Sequence, residues 1–149
     1  MSSRILIVDD DPSVASSLGG VLLSEGYEVA YAANGSEAID GFSHNDPIDL
    51  VLLDLCMPVK GGWDTFEALT SIDPVLPIVV ITARSDQYPL AQAAGVAGLM
   101  EKPLNIPLLL EMMQQLLAEG ITKRLARIAV QSPSTLYPDS INWPQQKTS

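Results

Sequence analysis

Apolar and polar positions along the chain fall into two alternating lengths. Five short runs, Arg4–Val8, Glu28–Ala32, Leu50–Asp54, Ile78–Thr82 and Gly98–Met100, are rich in Val, Ile and Leu. They lack clear in-out alternation, which is the pattern of strands buried on both faces of a parallel sheet. Longer amphipathic stretches separate them. The first opens at Asp11-Pro12-Ser13, with Pro at an early helical position, and sets Val14, Leu18, Val21 and Leu22 at helical spacing before Gly26. A second follows Asn34-Gly35-Ser36, with Ser36 the expected cap. A third follows Gly61-Gly62 and carries Trp63, Phe66 and Leu69. Tyr88–Ala94 predicts a short fourth helix ended by Gly95, and Ile106–Glu119 a fifth.

Five such β-α units predict an open, doubly wound α/β fold, a five-stranded parallel sheet flanked by five helices, because right-handed crossovers place helices on both faces. Residues 4–119 complete that single domain. The tail, 120–149, reads as helical to about residue 130, with Ile121, Leu125 and Ile128 at spacing four and three. Beyond Gln131 its Ser-Pro, Tyr-Pro and Trp-Pro pairs read as extended or disordered. In the fifth helix Leu109, Leu110, Met113, Leu116 and Leu117 are expected to face the sheet. Leu108 and Met112, with Ile106, form a second apolar stripe. That stripe is expected either to dock a partner or second copy, or to be covered by Ile121–Val130.

Composition narrows the function. At 47% apolar and 17% charged, the 149 residues are those of a folded globular chain. No apolar run approaches the ~20 residues that span a bilayer, and the start lacks the form of a signal peptide. A single cysteine, Cys56, excludes an internal disulfide and any multi-cysteine zinc site. These features lead us to expect a cytoplasmic protein without membrane attachment. Residues 1–119 carry four basic and seventeen acidic side chains, a balance of −13, and residues 120–149 carry four against one, a balance of +3. So acidic a body repels nucleic acid, and no nucleic-acid partner is expected.

The acids are not scattered. Asp9, Asp10 and Asp11 follow the first strand, Asp54 ends the third, Thr82 ends the fourth, and Lys102-Pro103 follows the fifth. In an open parallel sheet these ends meet at the carboxyl edge, where polar chemistry gathers. Carboxylates converging there need a cation, and hard oxygen donors with open positions suit Mg²⁺. One carboxylate beside such an ion, facing an ammonium and a hydroxyl, is a candidate phosphoryl acceptor, since the three groups share the charge of a transferring phosphoryl.

Ile5-Leu6-Ile7-Val8-Asp9-Asp10-Asp11-Pro12, Asp49 through Pro58, Ile81-Thr82-Ala83 and Glu101-Lys102-Pro103-Leu104 resemble, in order and spacing, the four signatures of response-regulator receiver domains. Gly26-Tyr27-Glu28-Val29 and Ala33 through Ala38 match as well. The resemblance covers residues 4–119 and implies the flavodoxin-like, CheY-like strand order 2-1-3-4-5. It implies that Asp54 is phosphorylated and that Asp9, Asp10 and Asp54 hold Mg²⁺ with the backbone carbonyl of Cys56. It also implies that Thr82 bonds the phosphoryl oxygen, that Lys102 pairs with it, and that a cis bond precedes Pro103. The implied donor is a histidine kinase or a phosphotransfer protein. The implied output is an altered contact with a downstream protein, or a homodimer, through the face of the fourth helix, fifth strand and fifth helix. With its own start and tail the chain reads as a stand-alone regulator rather than an enzyme, catalysing only its own phosphoryl transfer and autodephosphorylation.

Three departures stand out. The position three before the lysine, usually aromatic in the family, is Leu99. The loop after Pro58 reads Val59-Lys60-Gly61-Gly62, and the positions two beyond Asp54 and Thr82, where the family tunes phosphoryl lifetime, are Cys56 and Arg84. Two other readings compete with this one. A receiver-like scaffold indifferent to phosphate fits Leu99 but not the full set of Asp9, Asp10, Asp54, Thr82 and Lys102. A phosphatase of the haloacid dehalogenase type can use Asp9-Asp10-Asp11-Pro12-Ser13, but it lacks an acidic pair after Lys102 and leaves Asp54–Pro58 unexplained.

Overall fold

The computed structural model describes residues 2–42, 47–55, 61–83 and 96–119. Its elements run β1 (Arg4–Val8), α1 (Pro12–Ser24), β2 (Glu28–Ala32), α2 (Gly35–Phe42), β3 (Leu50–Asp54), α3 (Gly62–Ile72), β4 (Ile78–Thr82), β5 (Gly98–Glu101) and α4 (Ile106–Ala118). The expected helix over Tyr88–Ala94, Cys56, Lys60, Arg84 and the tail 120–149 lie outside the described residues. The strands pair in parallel in the order β2-β1-β3-β4-β5, as the resemblance implied.

Every residue of β3 and β4 is buried, which is why those runs are apolar up to their last residues, Asp54 and Thr82. Alternate residues serve two cores. Leu6, Val8, Val51, Leu53 and Val80 pack toward Ala38 of α2 and Phe66 and Leu69 of α3. Ile5, Ile7, Leu50, Leu52, Val79 and Ile81 pack toward Leu18 and Leu22 of α1 and Leu109, Met113 and Leu116 of α4. Only the edge strand β2 leaves large surface to water, with Tyr31 half exposed.

The helix ends show how the sheet edge is held. Asp11 caps α1, its Oδ1 accepting from the Ser13 backbone N–H at 3.0 Å and from the Ser13 hydroxyl at 2.8 Å. Gly26, at φ 94°, adopts the left-handed conformation that closes the same helix. At α2 the cap is Asn34, not Ser36. Asn34 Oδ1 accepts from the Glu37 N–H at 2.9 Å, and Glu37 Oε1 accepts from the Ala33 N–H at 2.8 Å. This reciprocal pair satisfies two donors at once and so starts the helix two residues earlier, at Gly35. Asn105 caps α4 through the Leu108 N–H at 3.2 Å.

Two expected faces differ in the structure. On α1, Leu18 and Leu22 are buried with Ala15 and Gly19, whereas Val14 and Val21 are partly exposed on the helix flank. On α4, Met112 belongs to the core. A side chain at Gly98 would collide with its sulfur, so the glycine of β5 makes the hollow that Met112 fills. Leu110 and Leu117, expected inside, are only partly buried.

Candidate functional site

Among the described residues four polar side chains are buried: Asp9, Asp54, Thr65 and Thr82. Thr65 has a local reason, its hydroxyl donating to the Gly61 carbonyl at 3.1 Å one turn back in α3. The other three stand at the carboxyl ends of β1, β3 and β4. Burial of charge at that edge calls for a partner.

The backbone sets each of them. Asp9 follows β1, and its N–H donates to the Ala32 carbonyl at 3.0 Å, carrying the β1-β2 pairing past the strand end. Its Oδ1 accepts from the Asp11 N–H at 2.9 Å, which turns the chain into α1. Asp54 sits opposite Ile81, and the next residue's N–H donates to the Ile81 carbonyl at 3.0 Å. Gly62 packs on the backbone of Leu55, where a side chain would collide, so α3 starts hard against the residue after Asp54. Thr82 sits opposite Glu101, and the Lys102 N–H donates to the Thr82 carbonyl at 2.8 Å. The Lys102–Pro103 bond is cis, as the resemblance implied.

These constraints bring together the groups singled out in the sequence. Carboxylate oxygens of Asp9, Asp10 and Asp54 lie within 4.8 Å of one another, two of the residues buried and Asp10 exposed. Lys102 Nζ stands 3.3 Å from Asp54 Oδ2, with Asp54 side-chain exposure only 4%. Asp11 takes no part in this cluster as a ligand; its carboxylate is committed to the α1 cap. Those hydrogen bonds, first that from the Ser13 hydroxyl, hold its pKa below the usual 3.8. Asp9 shifts the other way. Burial raises its carboxyl above 3.8, the Asp11 N–H offsets part of this, and the charge of Asp54 adds to the rise.

Three carboxylates and one ammonium leave excess negative charge in a partly dry site, and the donors are all hard oxygens. The set fits a divalent cation of the Mg²⁺ kind, held by one or two carboxylates with water completing the sphere. A cleft of about 500 Å³ adjoins Asp9 and Asp10 and is walled by Pro12, Ala15, Tyr31 and Glu37. Tyr31 and Glu37 were not singled out in the sequence. The pairing of β1 with β2, which sets Ile7 beside Tyr31, was the signal for Tyr31, and the position of Glu37 three residues beyond Asn34 was the signal for the α2 cap that holds it.

The family model for the response regulator receiver domain matches residues 5–114. The chain belongs to that family. Receiver domains accept phosphoryl groups, bind Mg²⁺ at an acidic pocket and interact with histidine kinases, acting as regulators rather than classical enzymes. Among curated relatives, the DNA-binding response regulator MtrA of Mycolicibacterium smegmatis is 45% identical over 107 residues, 70% of this chain and 46% of MtrA. The transcriptional regulatory protein CpxR of Escherichia coli is 38% identical over 105 residues, 69% of this chain and 44% of CpxR. This receiver thus spans about half the length of the curated relatives it matches.

Solved structures agree on the fold. A CheY-like receiver domain protein from Methanospirillum hungatei superposes with a TM-score of 0.73 at 28% identity, over 85% of this chain and 98% of that one. The response regulator TrrA of Thermotoga maritima, solved in complex with Mg²⁺-BeF, superposes at 0.69 with 33% identity, over 76% of this chain and 98% of TrrA. Among the described residues, no helix of this receiver is long and apolar enough to cross a membrane.

Proposed function

We propose that Asp54 of this receiver is the phosphoryl acceptor, with a histidine kinase or phosphotransfer protein as donor. The observation that carries the proposal is the approach of Lys102 Nζ to 3.3 Å from a buried Asp54 carboxylate that also shares its site with Asp9 and Asp10. The Asp54 carboxylate attacks phosphorus, the bond from phosphorus to the donor's imidazole nitrogen breaks, and the imidazole leaves with the electron pair. Asp9, Asp10 and Asp54, with the backbone carbonyl of Cys56, would hold Mg²⁺, which when bound supplies positive charge against the phosphoryl oxygens. Lys102 neutralises a further oxygen, and the Thr82 hydroxyl donates to one.

The output of residues 4–119 is a contact between proteins. Their balance of −13 disfavours a phosphate backbone. Phosphorylation draws Thr82 and Lys102 toward the new group and shifts the population of a surface that includes β5 and α4, toward a downstream protein or a second copy. Leu99 favours a variation on it. The side chain is fully buried against the core under α3, so no aromatic ring is there to change between outer and inner positions. Coupling from Thr82 outward then runs through β4 and β5 themselves.

Titration with beryllofluoride in the presence of Mg²⁺, followed by backbone amide resonances, tests the reading. Shifts at Asp54, Thr82 and Lys102 that need both reagents are expected. An unchanged spectrum at saturating reagent would overturn it in favour of a phosphate-indifferent scaffold.

A further inference from the structure

On the α1 side of the sheet an apolar groove of about 710 Å³ runs between that helix and the Lys102–Ile106 segment, lined chiefly by Val14, Leu18, Val21, Leu104 and Ile106. Lys102 is the one charged side chain on its walls among the described residues. From Pro12 to Ser24 α1 has no ionisable side chain, and α4 has only Glu111. In an acidic chain with 17% charged residues, such a surface is suited to contact rather than to water.

We propose that residues 121–130 of this same chain occupy the groove. Ile121, Leu125 and Ile128 recur at intervals of four and three, so helical periodicity puts them on one apolar stripe, with Lys123 and Arg127 on the far side and Arg124 on its flank. The reach is right. The thirteen residues of α4 span ~20 Å from Ile106 to Ala118, and a ten-residue helix turning back covers ~15 Å, enough to return from the end of α4 toward Ile106 and Leu104. Residues 120–149 carry +3 against −13 on residues 1–119, which favours return of the tail to the body of the chain without a charge pair inside the groove. Tethering makes the encounter intramolecular, so modest contact area suffices. The stripe of Leu108 and Met112 is not the receiving face, because Met112 is already spent on Gly98. A segment seated in the groove lies beside Lys102, and so beside Asp54.

The test uses the full chain with methyl labelling, comparing it with a Leu125→Asp/Ile128→Asp variant. Methyl resonances of Val14, Leu18, Val21, Leu104 and Ile106 should move in the variant while those of Leu50, Leu52 and Leu53 stay. In the unaltered chain they should be independent of protein concentration. Groove resonances unmoved by the variant overturn the proposal. Dependence on concentration gives the groove to a second copy and overturns it as well. Should the polar pair disturb folding, disulfide trapping decides. Ser17→Cys with Leu125→Cys, in a Cys56→Ala chain, should close within one molecule under mild oxidation, and failure to close refutes the contact.

Discussion

Lys102 Nζ lies 3.3 Å from Asp54 Oδ2, joining two residues 48 positions apart across the ends of β3 and β5. The ammonium is one-third exposed and the carboxylate almost wholly buried. Among the described residues one lysine therefore answers for three clustered carboxylates, and it competes with a metal ion for the same negative charge.

That competition gives Lys102→Gln two effects of opposite sign. Removing the ammonium raises Mg²⁺ affinity, by about threefold to tenfold for a charge at this range. It also slows phosphoryl transfer from acetyl phosphate by at least about tenfold, because one group stabilising the transferring oxygens is lost. Calorimetry with Mg²⁺ and a time course of adduct formation measure the two separately. A fall in both would mean that Lys102 supports the site only structurally.

Asp9 gives a prediction in pH. Its folded-state pKa is raised by burial, so the fold holds this proton more tightly than the unfolded chain does. The contribution to stability is therefore fully present below about 3.8 and is lost as pH rises through the raised value. Without divalent ions at pH 7, Asp9→Asn should stabilise the receiver by about 1 kcal/mol, by relieving repulsion from Asp54 and Asp10. With Mg²⁺ the order should reverse, because a ligand is gone. Urea midpoints with and without Mg²⁺ check both signs.

Gly62 should not tolerate a methyl group. Its missing side chain lets α3 rest on the Leu55 backbone, next to Asp54. Gly62→Ala should cost about 1–3 kcal/mol by overpacking, and denaturant unfolding measures it. The same change at Gly20, where the neighbouring space is open, should cost nothing measurable.

Leu99→Ala should cost about 2–5 kcal/mol, as a buried leucine truncated in a closed core does, while phosphoacceptance persists. Thermal unfolding and adduct formation on the same sample separate the two. Loss of acceptance in a still-folded variant would tie Leu99 to the chemistry rather than to packing.

How much of this was legible before the structure depended on the kind of residue. Four of the five strands begin and end where their runs do, and for β1, β3 and β4 the reason is burial on both faces, which leaves little polar sequence to blur their limits. The convergence of Asp9, Asp10, Asp54 and Lys102 was legible too, since parallel strands deliver all their carboxyl ends to one edge. Local competition was not. Asp11 stands in the same acidic run as Asp9 and Asp10, and the Asp11-Pro12-Ser13 sequence marked it as a helix start, but the hydrogen bonds that commit its carboxylate to the cap were visible only in the structure. Asn34 rather than Ser36 starts α2, because Glu37 lies three residues beyond it and completes the reciprocal pair. The inner face of α4 was misjudged at Met112 because the space it fills belongs to Gly98, in another element.

The most direct measurement is the intact mass of the receiver after incubation with acetyl phosphate and Mg²⁺, beside Asp54→Asn and a metal-free sample. The account predicts a single phosphoryl adduct that needs the metal and vanishes in Asp54→Asn. An adduct that persists in Asp54→Asn, or none under fast quenching, would contradict it.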